Sequence, residues 1–217
     1  MKSRLFDRLV PVVFLLLSLL FFREYFLTKR VPLPFNLLVS FYSPWKHEPG
    51  YGVGVPNKPL GDDNIKLFYP YRKFTIEEMK AGRIPLWNPY TFSGSVNHAM
   101  YQSALFYPLN VVYFLLPLAD AWSFIVMATP VLTGWFMYLF LRSLKLTRGA
   151  GFFGSLVFAL SGWMMAFWEE VLVKGHTILW LPLALYASNL IWDSPKSLKG
   201  IGILIFALAS AILGGFP

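Results

Sequence analysis

The chain has 217 residues, of which 56% are hydrophobic, 18% aromatic and only 14% charged, with a formal charge of +8 and no cysteine. A charged share this far below the roughly one quarter of a soluble domain predicts a multispanning membrane protein. The bases flank apolar runs with no nucleic-acid motif beside them, so they read as topology signals, and the lack of cysteine excludes disulfides, thiolate metal sites and cysteine nucleophiles.

The first apolar run, Leu9 to Phe22, follows the basic "MKSRLFDR" and is not followed by a small-residue cleavage site, which predicts an uncleaved anchor over about 9–27. A long loop, about 29–105, comes next. Its first part, Val31 to Pro59, is rich in Pro, Gly, Tyr and Asn without an apolar period and predicts irregular structure. Asp62 and Asp63 suit a helix start, where free N–H groups and the positive dipole end favour carboxylates, and Gly82 suits the residue just past the helix end. Pro70 predicts a split into two short helices, with "TIEE" from Thr75 as a capping-box start for the second. "RIPLWNPYTFSG" is a turn-rich strip, and the whole loop is expected to form a roof over a membrane cavity.

The second apolar stretch, Phe106 to Leu141, is too long to be one helix across roughly 30 Å of hydrocarbon at about 1.5 Å per residue. Pro117 and Asp120 divide it into a re-entrant or interfacial helix, about 108–116, and a span, about 119–141. Further spans are expected at about 150–168, 177–192 and 201–217, separated by "RSLKLTRG", "EEVLVKGH" and "DSPKSLKG". The predicted fold is therefore all-α: a single membrane module over 1–217, with about five transmembrane helices and a large extracytoplasmic first loop. Lys2, Arg4 and Arg8, then Arg142, Lys145 and Arg148, then Lys196 and Lys199 fall on one side of five alternating spans, which places the N-terminus in the cytoplasm and the long loop outside.

Several polar groups near the outer face invite chemistry. Asp62 and Asp63 are adjacent carboxylates whose mutual repulsion favours a raised pKa or a shared divalent cation, and they serve equally as a solvated helix start. Lys66, Arg72, Lys73 and Arg83 suit a phosphate clamp or anionic lipid headgroups. Glu169 and Glu170 end an apolar run where acids are costly unless they face water, a cavity or a cation, and His176 opens the following span as a further phosphate or metal candidate. Trp87, Asn88 and Tyr90 suit either a sugar or the membrane interface. No GxGxxG, Walker, HExxH or GxSxG motif occurs.

"GDDNIKLFYPYRKFTIEEMKAGRIPLWNPYTFSGS", followed by "YQSALFYPLNVVYFLLP", resembles the first outer loop of the YfhO-like bacterial membrane proteins of the GT-C glycosyltransferase superfamily. The matching elements are an Asp before a Tyr-Pro pair, an amphipathic helix, "G-x-x-P-L-W-N-P-Y-x-F-x-G" and "Q-S-x-x-F-Y-P-L", spanning about Gly61 to Pro117. Family members are longer, so the chain is expected to be an N-terminal fragment. The resemblance implies a bacterial plasma-membrane enzyme that moves a sugar from a polyprenyl-phosphate carrier to a cell-surface glycopolymer or glycan acceptor on the outer face. It implies Asp63, with Asp62 beside it, as catalytic base or metal ligand, and Glu169 or Glu170 as a second-loop acid, with a divalent cation at Asp63 and Glu169 as an expectation. The competing expectations are a lipid-linked sugar transporter or flippase and a noncatalytic assembly subunit.

Overall fold

A computed structural model describes residues 2–48, 63–97, 99–169 and 172–216. Of the described residues 73% are helical, with almost no strand among them, so the all-α expectation holds at that level. The helices are α1 (Lys2–Phe21), α2 (Arg23–Thr28), α3 (Asn36–Phe41), α4 (Tyr69–Lys80), α5 (Val112–Leu115), α6 (Leu118–Ser143), α7 (Arg148–Ala159), α8 (Gly162–Glu169), α9 (Leu172–Ile178), α10 (Leu181–Asp193) and α11 (Leu198–Leu213). A two-residue antiparallel pair, β1 (Trp87–Asn88) and β2 (Ser95–Val96), sits in the long loop with Trp87 opposite Val96.

The bundle is built on α6. Helix α1 runs antiparallel to it: Asp7 accepts from the Tyr138 hydroxyl near one end, Ser18 Oγ donates to Met127 O at 2.7 Å in the middle, and Tyr25 OH donates to Asp120 Oδ1 at 2.5 Å at the other end. Gly134 lets the Phe14 ring lie directly on the α6 backbone, which brings the two helices close, as small residues do in membrane helix pairs. Helix α7 turns back along α6, its first turn capped by Thr147, whose Oγ1 accepts from Ala150 N. Helix α10 then runs parallel to α6, with Asn189 Nδ2 donating to Ser143 O at 3.1 Å, and α11 returns after Ser197 caps its start.

This arrangement gives the bundle two chemically different ends. At one end Asp7 receives Arg148 Nε at 3.2 Å and lies 3.8 Å from Arg142 Nε, and Lys145, Lys196 and Lys199 share that end. The segment from residue 63 to 117 covers the other end. There Phe68, Ile76 and Tyr113 from the covering segment form one core with Phe22, Trp122, Ile125, Met164 and Val173. The flanks of the bundle are apolar: Leu9, Leu16 and Leu20 of α1, Phe153 and Val157 of α7, and Ile205, Phe206 and Ile212 of α11 are all exposed.

The helices depart from the expected spans in instructive ways. Helix α6 matches the span expected at about 119–141 and is the one described helix long and apolar enough to cross a bilayer; α11 is apolar but has 16 residues. The span expected over about 150–168 is broken at Leu160–Ser161 because Ser161 Oγ accepts from Met164 N and starts a new helix. The span expected over about 177–192 is broken before Leu181 because Pro182 occupies the first turn of α10, where its missing N–H is harmless. The interfacial segment expected at about 108–116 is present as a 3₁₀ turn, Pro108–Val111, leading into α5. Of the 31–59 stretch, the described part, 31–48, is not wholly irregular, since α3 forms and buries Leu37, and 49–59 lie outside the described residues.

Candidate functional site

The covering segment begins with a π-helical stretch, Asn64–Phe68, that runs straight into α4. Pro70 does not split it: it sits in the first turn of α4 directly after the π-helical turn, and the helical run continues through it. Thr75 is not a cap either; it is buried inside the helix and accepts from Asn97 Nδ2 at 3.1 Å. The far end follows the sequence reading. Gly82 adopts φ +75° and Arg83 N closes back on Glu78 O at 2.9 Å, a left-handed C-terminal cap that glycine adopts without a Cβ clash.

Asp63 stands immediately before the π-helical stretch, exposed, with helical dihedrals and no capping hydrogen bond from its carboxylate. The capping role expected for it is therefore absent, and the charge faces outward at the covered end of the bundle. Asp62, Glu170 and the side chain of Glu169 lie outside the described residues, so the convergence of Asp63 with the second-loop acids falls outside them too. Among the described residues no group of three or more His, Cys, Asp or Glu is placed to hold a metal ion.

The five expected phosphate-binding bases do not form one clamp. Arg83 is exposed and turned back onto Glu78, its Nε and Nη2 donating at 2.7 and 2.6 Å, and this contact holds the Glu78 carboxyl below its ordinary range. Lys73 lies 3.9 Å from Glu77 on the outer face of α4, and Lys66 rests over the Tyr42 ring at 5.1 Å. Arg72, the immediate neighbour of Lys73, points the opposite way and is 2% exposed. One residue step turns a helix by about 100°, and that step separates a solvent-facing base from a buried one.

Arg72 is the centre of a buried polar cluster. Its Nη1 donates to Asn110 Oδ1 and, at 3.4 Å, to Ala104 O; the guanidinium lies 5.9 Å from the Tyr113 ring centre, and its Nε has no partner. No carboxylate among the described residues pairs with it, and desolvation pulls its pKa below the usual arginine value. His176, expected at an outer-face phosphate, is instead fully buried on α9, its ring stacked on Tyr107 at 4.4 Å and 15°. Burial first, and Arg72 second, hold His176 well below its ordinary pKa, so the ring is neutral. Neither of its nitrogens has a partner, and the Tyr113 hydroxyl also lacks one, with burial pushing that phenol up to about 12. Tyr107 completes the cluster, accepting from Trp180 Nε1 and donating to His176 O, both at 3.3 Å. The result is a buried, cationic cluster whose Arg72 Nε, His176 nitrogens and Tyr113 hydroxyl have no protein hydrogen-bond partner among the described residues. Tyr107 belongs to the "Q-S-x-x-F-Y-P-L" stretch; Asn110 and Tyr113 lie just beyond it in the expected interfacial helix, and no residue pattern there singled them out as partners of Arg72.

A second feature lies on the outside of α4. Lys66, Tyr71, Lys73, Phe74 and Glu77 form one wall of an open groove, and Asn88, Tyr90, Thr91 and Phe92 form the other. Asn88 Oδ1 accepts from Tyr90 N at 2.9 Å, which holds the second wall in a tight turn, and Phe74 meets the Tyr90 ring edge-on at 5.9 Å. Trp87, by contrast, is committed to structure: its ring lies against Gly94, where a Cβ would collide with it.

Comparisons with protein-family models, with curated proteins and with solved structures find no match.

Proposed function

We propose that the chain is a multispanning membrane glycosyltransferase module of the GT-C type, which transfers a sugar from a polyprenyl-phosphate carrier to a glycan acceptor on the outer face of a bacterial plasma membrane. The observation that carries this reading is the covering segment. The described part of the stretch that resembles the YfhO-like outer loop packs over the end of the bundle opposite the basic one through Phe68, Ile76 and Tyr113, with Asp63 exposed at its start. Two further features support it. The exposed apolar flanks of α1, α7 and α11 suit contact with lipid, and a surface of that extent is unusual for a soluble monomer. The alternation of α1, α6, α7, α10 and α11 puts Arg142, Lys145, Arg148, Lys196 and Lys199 at one end, as an N-terminus-inside protein requires.

In this mechanism the acceptor hydroxyl attacks the anomeric carbon, Asp63 takes the hydroxyl proton, and the bond from that carbon to the phosphate oxygen breaks with the electron pair leaving on the phosphate. Lys66 and Lys73, both exposed on the outer side of the same helical run, are the bases assigned to stabilise that leaving charge. A second reading draws on Arg72. A buried cation without a carboxylate partner among the described residues also suits a carrier for a lipid-linked anion.

The two readings separate in proteoliposomes holding the protein expressed from its full reading frame, a polyprenyl-phosphate sugar and an acceptor glycan. Asp63→Asn lowers transfer by about a hundredfold to ten-thousandfold while lipid-donor binding is kept. Transfer at the wild-type rate refutes the assignment, and lipid translocation without transfer supports the carrier. Because the chain has no cysteine, single replacements report topology directly. Lys80→Cys reacts with an impermeant maleimide from outside whole cells and Lys145→Cys does not; the reverse pattern overturns the outer-face chemistry.

A further inference from the structure

We infer that the open groove between α4 and the β1–β2 turn is a saccharide-binding subsite, with Tyr90 and Phe92 as its stacking platform. Placing an acceptor there rests on the transferase reading; the binding of sugar does not. Tyr90 is 84% exposed and Phe92 92% exposed, an extreme presentation for two large rings two residues apart. The fold enforces it. Phe92 (φ 51°), Ser93 (φ 61°) and Gly94 (φ 117°) all lie in the left-handed region, which side-chain-bearing residues adopt only when their surroundings hold them there. The holding groups are the β1–β2 pairing and the Trp87 ring seated on Gly94, so the turn projects Phe92 outward by construction.

The opposite wall supplies polar groups of the complementary kind. Lys73 and Glu77 are a loose, water-exposed pair 3.9 Å apart, with side chains 54% and 62% exposed. Contacts of this sort contribute little to stability and exchange readily for ligand hydroxyls. A pyranose has apolar C–H faces that suit an aromatic ring and an edge of hydroxyls that suit a lysine and a carboxylate side by side. A lipid tail would meet three charged side chains in this groove, Lys66, Lys73 and Glu77. Its place on the outer side of the same helical run that starts at Asp63 suits the binding of an acceptor chain.

The test uses the intact protein in nanodiscs and three hexasaccharides, of chitin, maltose and hyaluronan type, followed by saturation-transfer NMR and calorimetry. At least one hexasaccharide is expected to bind, and Tyr90→Ala and Phe92→Ala are each expected to weaken it tenfold or more, with Lys73→Gln weaker than wild type. Both aromatic side chains are exposed, so their removal leaves the fold intact, which the unfolding temperature checks. Asp63→Asn keeps the binding, so a failed transferase reading and a failed groove are told apart. Absence of binding by all three sugars, or equal binding by the Tyr90→Ala and Phe92→Ala proteins, overturns the inference. So does quenching of a fluorophore at position 92 by brominated lipid, which would make the turn a membrane anchor.

Discussion

The contact between Phe14 and Gly134 offers the most direct test of how the bundle is held. A Cβ built on Gly134 would lie against three carbons of the Phe14 ring, with Cδ1 at 2.5 Å. Ordinary carbon contacts sit at about 3.5–4.0 Å, so Gly134→Ala forces α1 and α6 about 1 Å apart or drives Phe14 from its rotamer. Overpacking of this kind costs about 1–3 kcal/mol, and the better helix propensity of alanine returns about 1 kcal/mol, leaving a net loss of about 1 kcal/mol. Phe14→Ala alone costs about 3–5 kcal/mol, since that ring is 1% exposed in the core it shares with Val10, Tyr138 and Ala159. In the double variant the new methyl enters the space the ring has left, so the two losses do not add. The cycle is measured by denaturant unfolding in detergent micelles, and a favourable coupling of about 1–3 kcal/mol is expected. Additivity within about 0.5 kcal/mol would refute the close α1–α6 packing at this contact.

The basic end carries an acid-sensitive contact. The Tyr138 hydroxyl, then Arg148, hold the Asp7 carboxyl below its ordinary value of 3.8, so the stabilisation is present above that value and is lost as pH falls below it through the folded value. Asp7→Asn is expected to flatten the acid limb of the unfolding profile between about pH 4 and pH 2, and an unchanged limb would exclude Asp7 as its source. His176 works over a different range. Its folded pKa lies well below 6.5, so the unfolded chain takes up the proton first and stability falls as pH drops from about 6.5 downward, by as much as about 1.4 kcal/mol per pH unit. His176→Phe, which keeps a ring on Tyr107, is expected to abolish that slope between about pH 6.5 and pH 5; an identical slope would show that the histidine is solvated.

The sequence by itself determined those features that depend on local physics. The low charge and long apolar runs specify helices with apolar flanks, Pro117 sets the boundary before α6, and Gly82 ends α4 because a left-handed residue is needed there whatever surrounds it. The same reasoning ran two pairs of helices together. Ser161 and Pro182 each start a helix using only groups within one turn, a signal present in the chain but outweighed by the apolar run around it.

Tertiary structure decided which polar side chains share a site. Arg72 and Lys73 are neighbours of the same chemical kind, and only the packing of α4 on the Asn110–Tyr113 turn sends one into the interior and leaves the other facing water. His176 and Tyr107 lie 69 residues apart, and no spacing rule relates them. Their stacking arises because α9 and the 101–107 turn pack into the same end of the bundle. Side-chain burial is set by what a helix face meets, and that partner comes from distant segments of the chain.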